Sequence, residues 1–185
     1  LLKPGLDMIE ELLDIPAVGV VPMSQVDIED EDSLAERLNR REKKAGTDIA
    51  VIRLPHLSNF TDFDVFERLE GVSLRYVEEA EELGLPDVVI IPGTKNTMSD
   101  LKWMRDGGLA EKIQELSAVD IPVVGICGGF QMLGKRLSDP YGVENKGTMD
   151  GLGLLDAKTV FSREKVRTQA KGKMAAAIPG WDLLA

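Results

Sequence analysis

Apolar and polar positions follow two rhythms along this chain: short, nearly unbroken apolar runs and longer stretches with helical spacing. Leu6, Ile9, Leu12 and Leu13 share one face of a helix predicted over residues 5–13. Ala17 to Val21 reads as a strand closed by Pro22. Ser33 to Lys44 reads as a charged helix, with Ser33 as N-cap and Glu36 three residues later in a capping-box spacing. Strands are predicted at Asp48–Leu54, Val72–Val77 and Asp87–Ile91, the last closed by Pro92-Gly93. Residues 97–106 and 109–117 read as helices separated by Gly107-Gly108, a helix stop. Ile121 to Ile126 is a strand that runs at once into Cys127-Gly128-Gly129 and a helix from Phe130 to Leu137. Gly151 to Phe161 reads as one or two further strands.

Strands this uniformly apolar are buried on both faces, and they take turns with helices. That combination predicts an α/β, doubly wound, mostly parallel sheet from about residue 47 onward. Ser24 to Asp32 is acidic and lacks periodicity, so it reads as a linker or surface loop. The expected organisation is the end of a preceding domain over 1–23, a linker and charged helix over 24–46, and the main domain over 47–185. The chain opens on Leu1-Leu2-Lys3-Pro4 without an initiator Met, which suggests a piece of a longer protein.

Composition changes this picture little. The 185 residues are 43% hydrophobic and 29% charged, ordinary for a soluble globular protein. A net charge of -10 argues against a nucleic-acid or acidic-membrane surface, where lysine and arginine should be in excess. No apolar run approaches the ~18–20 residues that cross a bilayer, and no signal-peptide pattern is present. The single cysteine forbids an internal disulfide, which fits a reducing, cytoplasmic compartment. The acidic run Asp27 to Asp32 lacks calcium-loop spacing and is expected to be a solvated linker, so no metal site is expected. The Lys/Arg residues from Arg163 to Lys173 read as surface, and Trp103, Trp181 and the methionines as packing.

Candidate chemistry centres on Gly125-Ile126-Cys127-Gly128-Gly129 after the strand Pro122-Val123-Val124. A strand that turns sharply into a helix strains its central residue and needs small neighbours. The side chain then stands at the carboxyl end of the sheet, where open α/β folds bind ligands. The following helix N-terminus favours a thiolate, and the N–H of Gly128 is suitably placed for an oxyanion. A lone cysteine is more often a small buried hydrophobe; the flanking glycines, the strand and the helix raise the nucleophile reading above that. A second segment, Val89 to Thr97, ends a buried strand in Pro92-Gly93-Thr94-Lys95-Asn96. The N–H of Gly93 or Thr94 could serve as a second oxyanion donor, although alone this is an ordinary strand-to-helix turn capped by Asn96 or Thr97.

Val124 to Gly134 closely resembles the nucleophile segment of the cobyric acid synthase branch of class I glutamine amidotransferases. Ile91 to Thr97 is similar to that branch's oxyanion-loop segment, and Arg53 to Asp64 to the opening of its amidotransferase domain. Leu1 to Pro22 resembles the end of the preceding ATP-dependent synthetase domain, and Gly151 to Leu155 a later strand. The resemblance implies a flavodoxin-like three-layer core with Cys127 as nucleophile and Gly93 and Gly128 as oxyanion donors. It implies glutamine contacts from Thr94, Lys95, Asn96 and Gln131. Glutamine would be hydrolysed through a thioester, and the ammonia passed on for amidation of adenosyl-cobyrinic acid a,c-diamide. ATP and Mg are expected at the upstream domain, which also takes the corrinoid, and no cofactor is expected in this one. Relatives that amidate the a,c positions or a cell-wall lipid, and a non-catalytic module, are the alternatives. The family's histidine base is expected beyond Ala185, because the sole histidine, His56, lies far upstream of Cys127 and reads as a loop or packing residue.

Overall fold

Period-two alternation in the central strands decides what each face of the sheet holds. In the computed structural model, which describes residues 2–20, 46–164, 169 and 171, the chain divides into two compact units, 1–35 and 36–185. The first contains helix α1 (Leu2–Leu13). Residues 15–20 are irregular, not the strand expected from Ala17: the Ala17 N–H is taken by the Glu10 carboxylate at 2.7 Å instead of a neighbouring strand. The predicted helix over Ser33–Lys44 and the acidic run lie outside the described residues.

The second unit is built on four parallel strands, β1 (Thr47–Ile52), β2 (Val72–Val77), β3 (Val88–Ile91) and β4 (Val123–Gly125), in the order β2-β1-β3-β4. Along β1, Ala50 and Ile52 join one apolar cluster while Ile49 and Val51 join another. The first cluster packs under helices α4 (Thr97–Asp106) and α5 (Leu109–Ala118) through Leu101, Met104, Ile113 and Leu116. The second packs under the 3₁₀ turn Phe60–Phe63 and the one-turn helix α2 (Asp64–Glu67), with Phe63 edge-on to Tyr76 at 6.5 Å. Both faces are covered, as continuous apolar strands require. Helix α3 (Ala80–Leu83) is closed by a capping box between Glu79 and Glu82. At the amino-terminal end of the sheet the buried Arg75 guanidinium bonds the buried Asp48 carboxylate and the carbonyls of Glu82 and Leu83, so the charge is fully paired.

Helix α1 begins three residues before the expected 5–13 and β1 ends at Ile52 instead of Leu54; the larger departures from the sequence pattern lie further on. The strand read as Ile121–Ile126 is shorter, because the Ile121 N–H closes helix α5 on the Leu116 carbonyl. The helix after Cys127 is α6 (Gly128–Leu133), not Phe130–Leu137: Gly134 is extended at φ -65° and ψ 173°, and Arg136–Asp139 forms strand β5. This strand pairs antiparallel with β6 (Gly147–Asp150) and parallel with β7 (Lys158–Val160), making a second, three-stranded sheet. Of the expected strand region 151–161, only β7 is regular.

Candidate active site

Strands β3 and β4 end side by side, the Ile126 N–H donating to the Ile91 carbonyl at 2.9 Å. Cys127 follows at φ 50° and ψ -109°, a backbone conformation that L side chains rarely adopt. Such a residue is strained by roughly 1–3 kcal/mol and persists only where its surroundings over-determine it. Here they do. A Cβ on Gly129 would fall 2.0 Å from the Ile91 carbonyl oxygen, and one on Gly125 2.7 Å from the Gly129 carbonyl. The elbow can close only because those positions carry no side chain.

Cys127 is exposed and lines a cavity of about 570 Å³ together with Thr94, Thr97, Gly128, Gln131, Glu144 and Arg163. Gly93 stands beside it: a Cβ there would lie 3.7 Å from the Cys127 Cβ. A Cβ on Gly128 would lie 3.4 Å from the Thr94 nitrogen, so the two backbone segments meet over the thiol. Among the described residues, the N–H groups of Gly93, Thr94 and Gly128 donate to no protein acceptor. Open, fixed backbone donors beside an exposed thiol are what a developing oxyanion requires.

The other expected contact residues divide. Gln131 lines the cavity and accepts from the Thr97 hydroxyl at 3.2 Å. Thr94 lines it too, but its hydroxyl turns away and donates to Asp100 Oδ2 at 2.5 Å. Asn96 caps helix α4 on the Ser99 N–H at 3.1 Å and accepts from Asn145, while Lys95 is exposed; neither borders the cavity. His56 is outside the lining as well, and its Nδ1 lies 2.6 Å from Asp100 Oδ1. Among the described residues no three His, Cys, Asp or Glu side chains converge as metal ligands, and no helix is long and apolar enough to cross a membrane.

Two contributions escape sequence reasoning. Asp139, fully buried at the end of β5, accepts from the backbone N–H of Val143, Glu144 and Lys146 at 2.8–3.0 Å. Burial alone would push this carboxyl up; the N–H groups of Val143, Glu144, Lys146 and Gly142 outweigh it and hold it below its ordinary value. The anchored loop delivers Val143 and Glu144 to the cavity, and the Glu144 carboxylate accepts from the Met98 N–H at 2.9 Å. The turn-forming run Asp139-Pro140-Tyr141-Gly142 is the sequence signal for this loop. The second is Arg163, expected on an undistinguished charged surface. It forms part of the cavity wall, with its guanidinium over the Tyr141 ring at 5.4 Å.

The sequence profile of the CobB/CobQ-like glutamine amidotransferase domain matches residues 48–182. A cobyric acid synthase from Ruminiclostridium cellulolyticum is 56% identical over 172 residues, covering 93% of this chain and 34% of that one. A cobyric acid synthase from Alkaliphilus metalliredigens is 51% identical over 176 residues, covering 94% and 35% respectively. This chain therefore spans about a third of the length of the curated relatives it matches. A crystal structure of a glutamine amidotransferase aligns with a TM-score of 0.48 and 22% identity over 60% of this chain and 55% of that one.

Proposed function

Because the chain belongs to the CobB/CobQ-like glutamine amidotransferase domain family, we propose that it is the glutaminase module of a cobyric acid synthase, with Cys127 as nucleophile. The observation that carries this reading is the strained, exposed Cys127 lining the cavity, with the N–H groups of Gly93 and Gly128 open beside it. The thiolate attacks the side-chain amide carbon of glutamine, forming a C–S bond and a tetrahedral oxyanion that those N–H groups stabilise. Collapse breaks the C–N bond and expels ammonia once the nitrogen is protonated. Water then cleaves the γ-glutamyl thioester to glutamate and restores the thiol. His56 lies outside the cavity lining and is engaged with Asp100, so on this reading it is not the group that protonates the ammonia and activates the water.

The cavity suits a zwitterionic amino acid. Among the described residues its wall carries Arg163 as a cation and Glu144 and Glu164 as carboxylates, near the polar side chain of Gln131. The released ammonia would serve ATP-dependent amidation of the peripheral carboxylates of adenosyl-cobyrinic acid a,c-diamide. That chemistry, with its ATP, Mg and corrinoid, belongs to a synthetase domain of which residues 1–23 are the end, with 24–46 linking it to the amidotransferase domain over 47–185.

The test is glutamate release from glutamine by the full-length gene product, with and without the corrinoid diamide and ATP, and with Cys127→Ala as control. Release that vanishes in Cys127→Ala and rises with corrinoid and ATP is expected. Release unchanged in Cys127→Ala would overturn the nucleophile assignment.

A further inference from the structure

Asp100 is a carboxylate that the reaction just described does not use, yet it is fully buried in the first turn of helix α4. A buried charge is retained only where donors compensate it. Three converge here: the His56 backbone N–H at 3.2 Å, His56 Nδ1 at 2.6 Å and the Thr94 hydroxyl at 2.5 Å. None of these belongs to helix α4; they come from two loops, 56–58 and 93–95. The same loops are joined by paired backbone bonds, Ser58 N–H to the Gly93 carbonyl and Lys95 N–H to the His56 carbonyl, each 3.0 Å. The His56 ring itself is half exposed, so it contributes little to the core. The Thr94 hydroxyl also lies 3.2 Å from the His56 carbonyl and accepts from the Asn96 N–H at 3.1 Å, so the side chains of Thr94 and His56 and the outer backbone of the loop are tied together around one buried anchor. What this leaves without a protein acceptor are the N–H groups of Gly93 and Thr94: a Cβ on Gly93 would lie 3.7 Å from the Cys127 Cβ, and the Thr94 nitrogen lies 3.4 Å from where a Gly128 Cβ would sit.

We propose that Asp100 is a positioning residue: through Thr94 and His56 it fixes the backbone donors of Gly93 and Thr94 at the height where the oxyanion forms on Cys127. This rests on the glutaminase reading above and adds to it the part that sets the second oxyanion donor. The Thr94 hydroxyl then acts as a tether to Asp100 and not as a contact to glutamine. A neutral carboxamide can substitute geometrically. With its oxygen in place of Oδ2 it accepts from the His56 N–H and the Thr94 hydroxyl, and its NH₂ donates to a neutral His56 Nδ1.

Asp100→Ala, Asp100→Asn and Thr94→Val are made in the full-length protein, each assayed for glutamine hydrolysis and for alkylation of Cys127 by iodoacetamide. Alkylation forms the S–C bond at a saturated carbon and expels iodide, so it needs the thiol and the elbow but develops no oxyanion. Misplacing a donor should lower kcat for glutamine about ten-fold or more, with KM within about two-fold, because the lost interaction exists only in the transition state. Alkylation should stay within about two-fold of the parent, and Asp100→Asn should recover most of the kcat that Asp100→Ala loses. Thr94→Val is nearly isosteric at a half-buried site, so it carries the test if Asp100→Ala does not fold. Unchanged kcat in Thr94→Val, or kcat and alkylation falling together, overturns the proposal; the second outcome makes Asp100 an anchor of the elbow alone. Glutamine hydrolysis that survives Cys127→Ala is a separate result, which sinks the glutaminase reading and this proposal with it.

Discussion

At an ordinary exposed position, replacing Ala with Gly destabilises a folded protein, by roughly 0.5–1 kcal/mol, because glycine surrenders more backbone freedom on folding. Cys127 should reverse that sign. Its φ of 50° and ψ of -109° place it where a Cβ is strained, and the strain is about 1–3 kcal/mol for such a residue. Cys127→Ala keeps the Cβ and therefore keeps the strain. Cys127→Gly removes it and pays the glycine entropy. Because the thiol is exposed, neither change forfeits much buried area. Subtracting the entropy from the strain leaves Cys127→Gly more stable than Cys127→Ala by roughly 1 kcal/mol, or ~2–4 °C in Tm for a domain of this size.

The two variants should be compared in the same parent protein by equilibrium urea denaturation and by thermal melts at neutral pH. Equal m-values with a higher midpoint for Cys127→Gly are expected, since a change of midpoint at constant m reports stability alone. Comparing Ala with Gly, instead of each with the parent, removes any contribution of the sulfur. If Cys127→Ala proves as stable as Cys127→Gly, or more so, the elbow is not strained. The over-determination argued from Gly125 and Gly129 would then be wrong. Neither variant has a nucleophile, so a more stable protein without glutaminase would show directly that strain is retained for geometry.

Gly129→Ala should destabilise the protein by about 3 kcal/mol or more, since its Cβ would fall 2.0 Å from the Ile91 oxygen and backbone must move to relieve it; a melting temperature within ~2 °C of the parent would refute the close approach. Asp139→Asn should loosen the loop that carries Val143 and Glu144 and raise KM for glutamine in steady-state assays, whereas an unchanged KM would detach that loop from the cavity. The same variant gives a pH test with a definite sign: the folded Asp139 carboxyl lies below its ordinary value of 3.8, so its stabilisation is complete above that value and is lost as pH falls through the folded one. The urea-midpoint gap between parent and Asp139→Asn should therefore be constant near neutrality and shrink only in the acid range; a gap that shrinks above about pH 6 would contradict it.

What could be read from the sequence follows from how far apart the cooperating residues lie. Strand β2 is legible end to end because Gly71 and the β-favouring alternation Val72-Ser73-Leu74-Arg75-Tyr76-Val77 state both boundary and content locally, although nothing local says that Ser73 and Arg75 are buried. Helix α4 is equally legible, since Asn96 caps it and Gly107 ends it within the same short stretch. The elbow is written in five consecutive residues, 125–129, so its backbone geometry could be anticipated even though the clash of Gly129 with Ile91 joins two strands. The misread helix shows the converse. Phe130, Met132, Leu133 and Leu137 keep an apolar spacing that continues a helix, and the single Gly134 among them is the one local sign against it. Gly134 ends it because its backbone packs on the Ala157 carbonyl, and Arg136–Asp139 then finds two strands to pair with, one of them about twenty residues on.

The site divides along the same line. The thiol and the backbone donors come from contiguous segments, and those are the parts a motif can carry. The groups that shape the cavity come from afar: Glu144 reaches it through a loop tied to Asp139, and Arg163 through the segment after β7. Asp100 looks like any helix carboxylate until His56, 44 residues earlier, is brought onto it. Local sequence thus specifies the chemistry that the elbow can perform, while tertiary contacts specify what the cavity holds and how accurately the oxyanion donors are placed. Substitutions in the second group should change KM at Glu144 and Arg163, and kcat at Asp100, without touching the reactivity of the thiol. A cysteine-alkylation rate measured beside the glutamine kinetics separates the two halves of the site in a single set of variants.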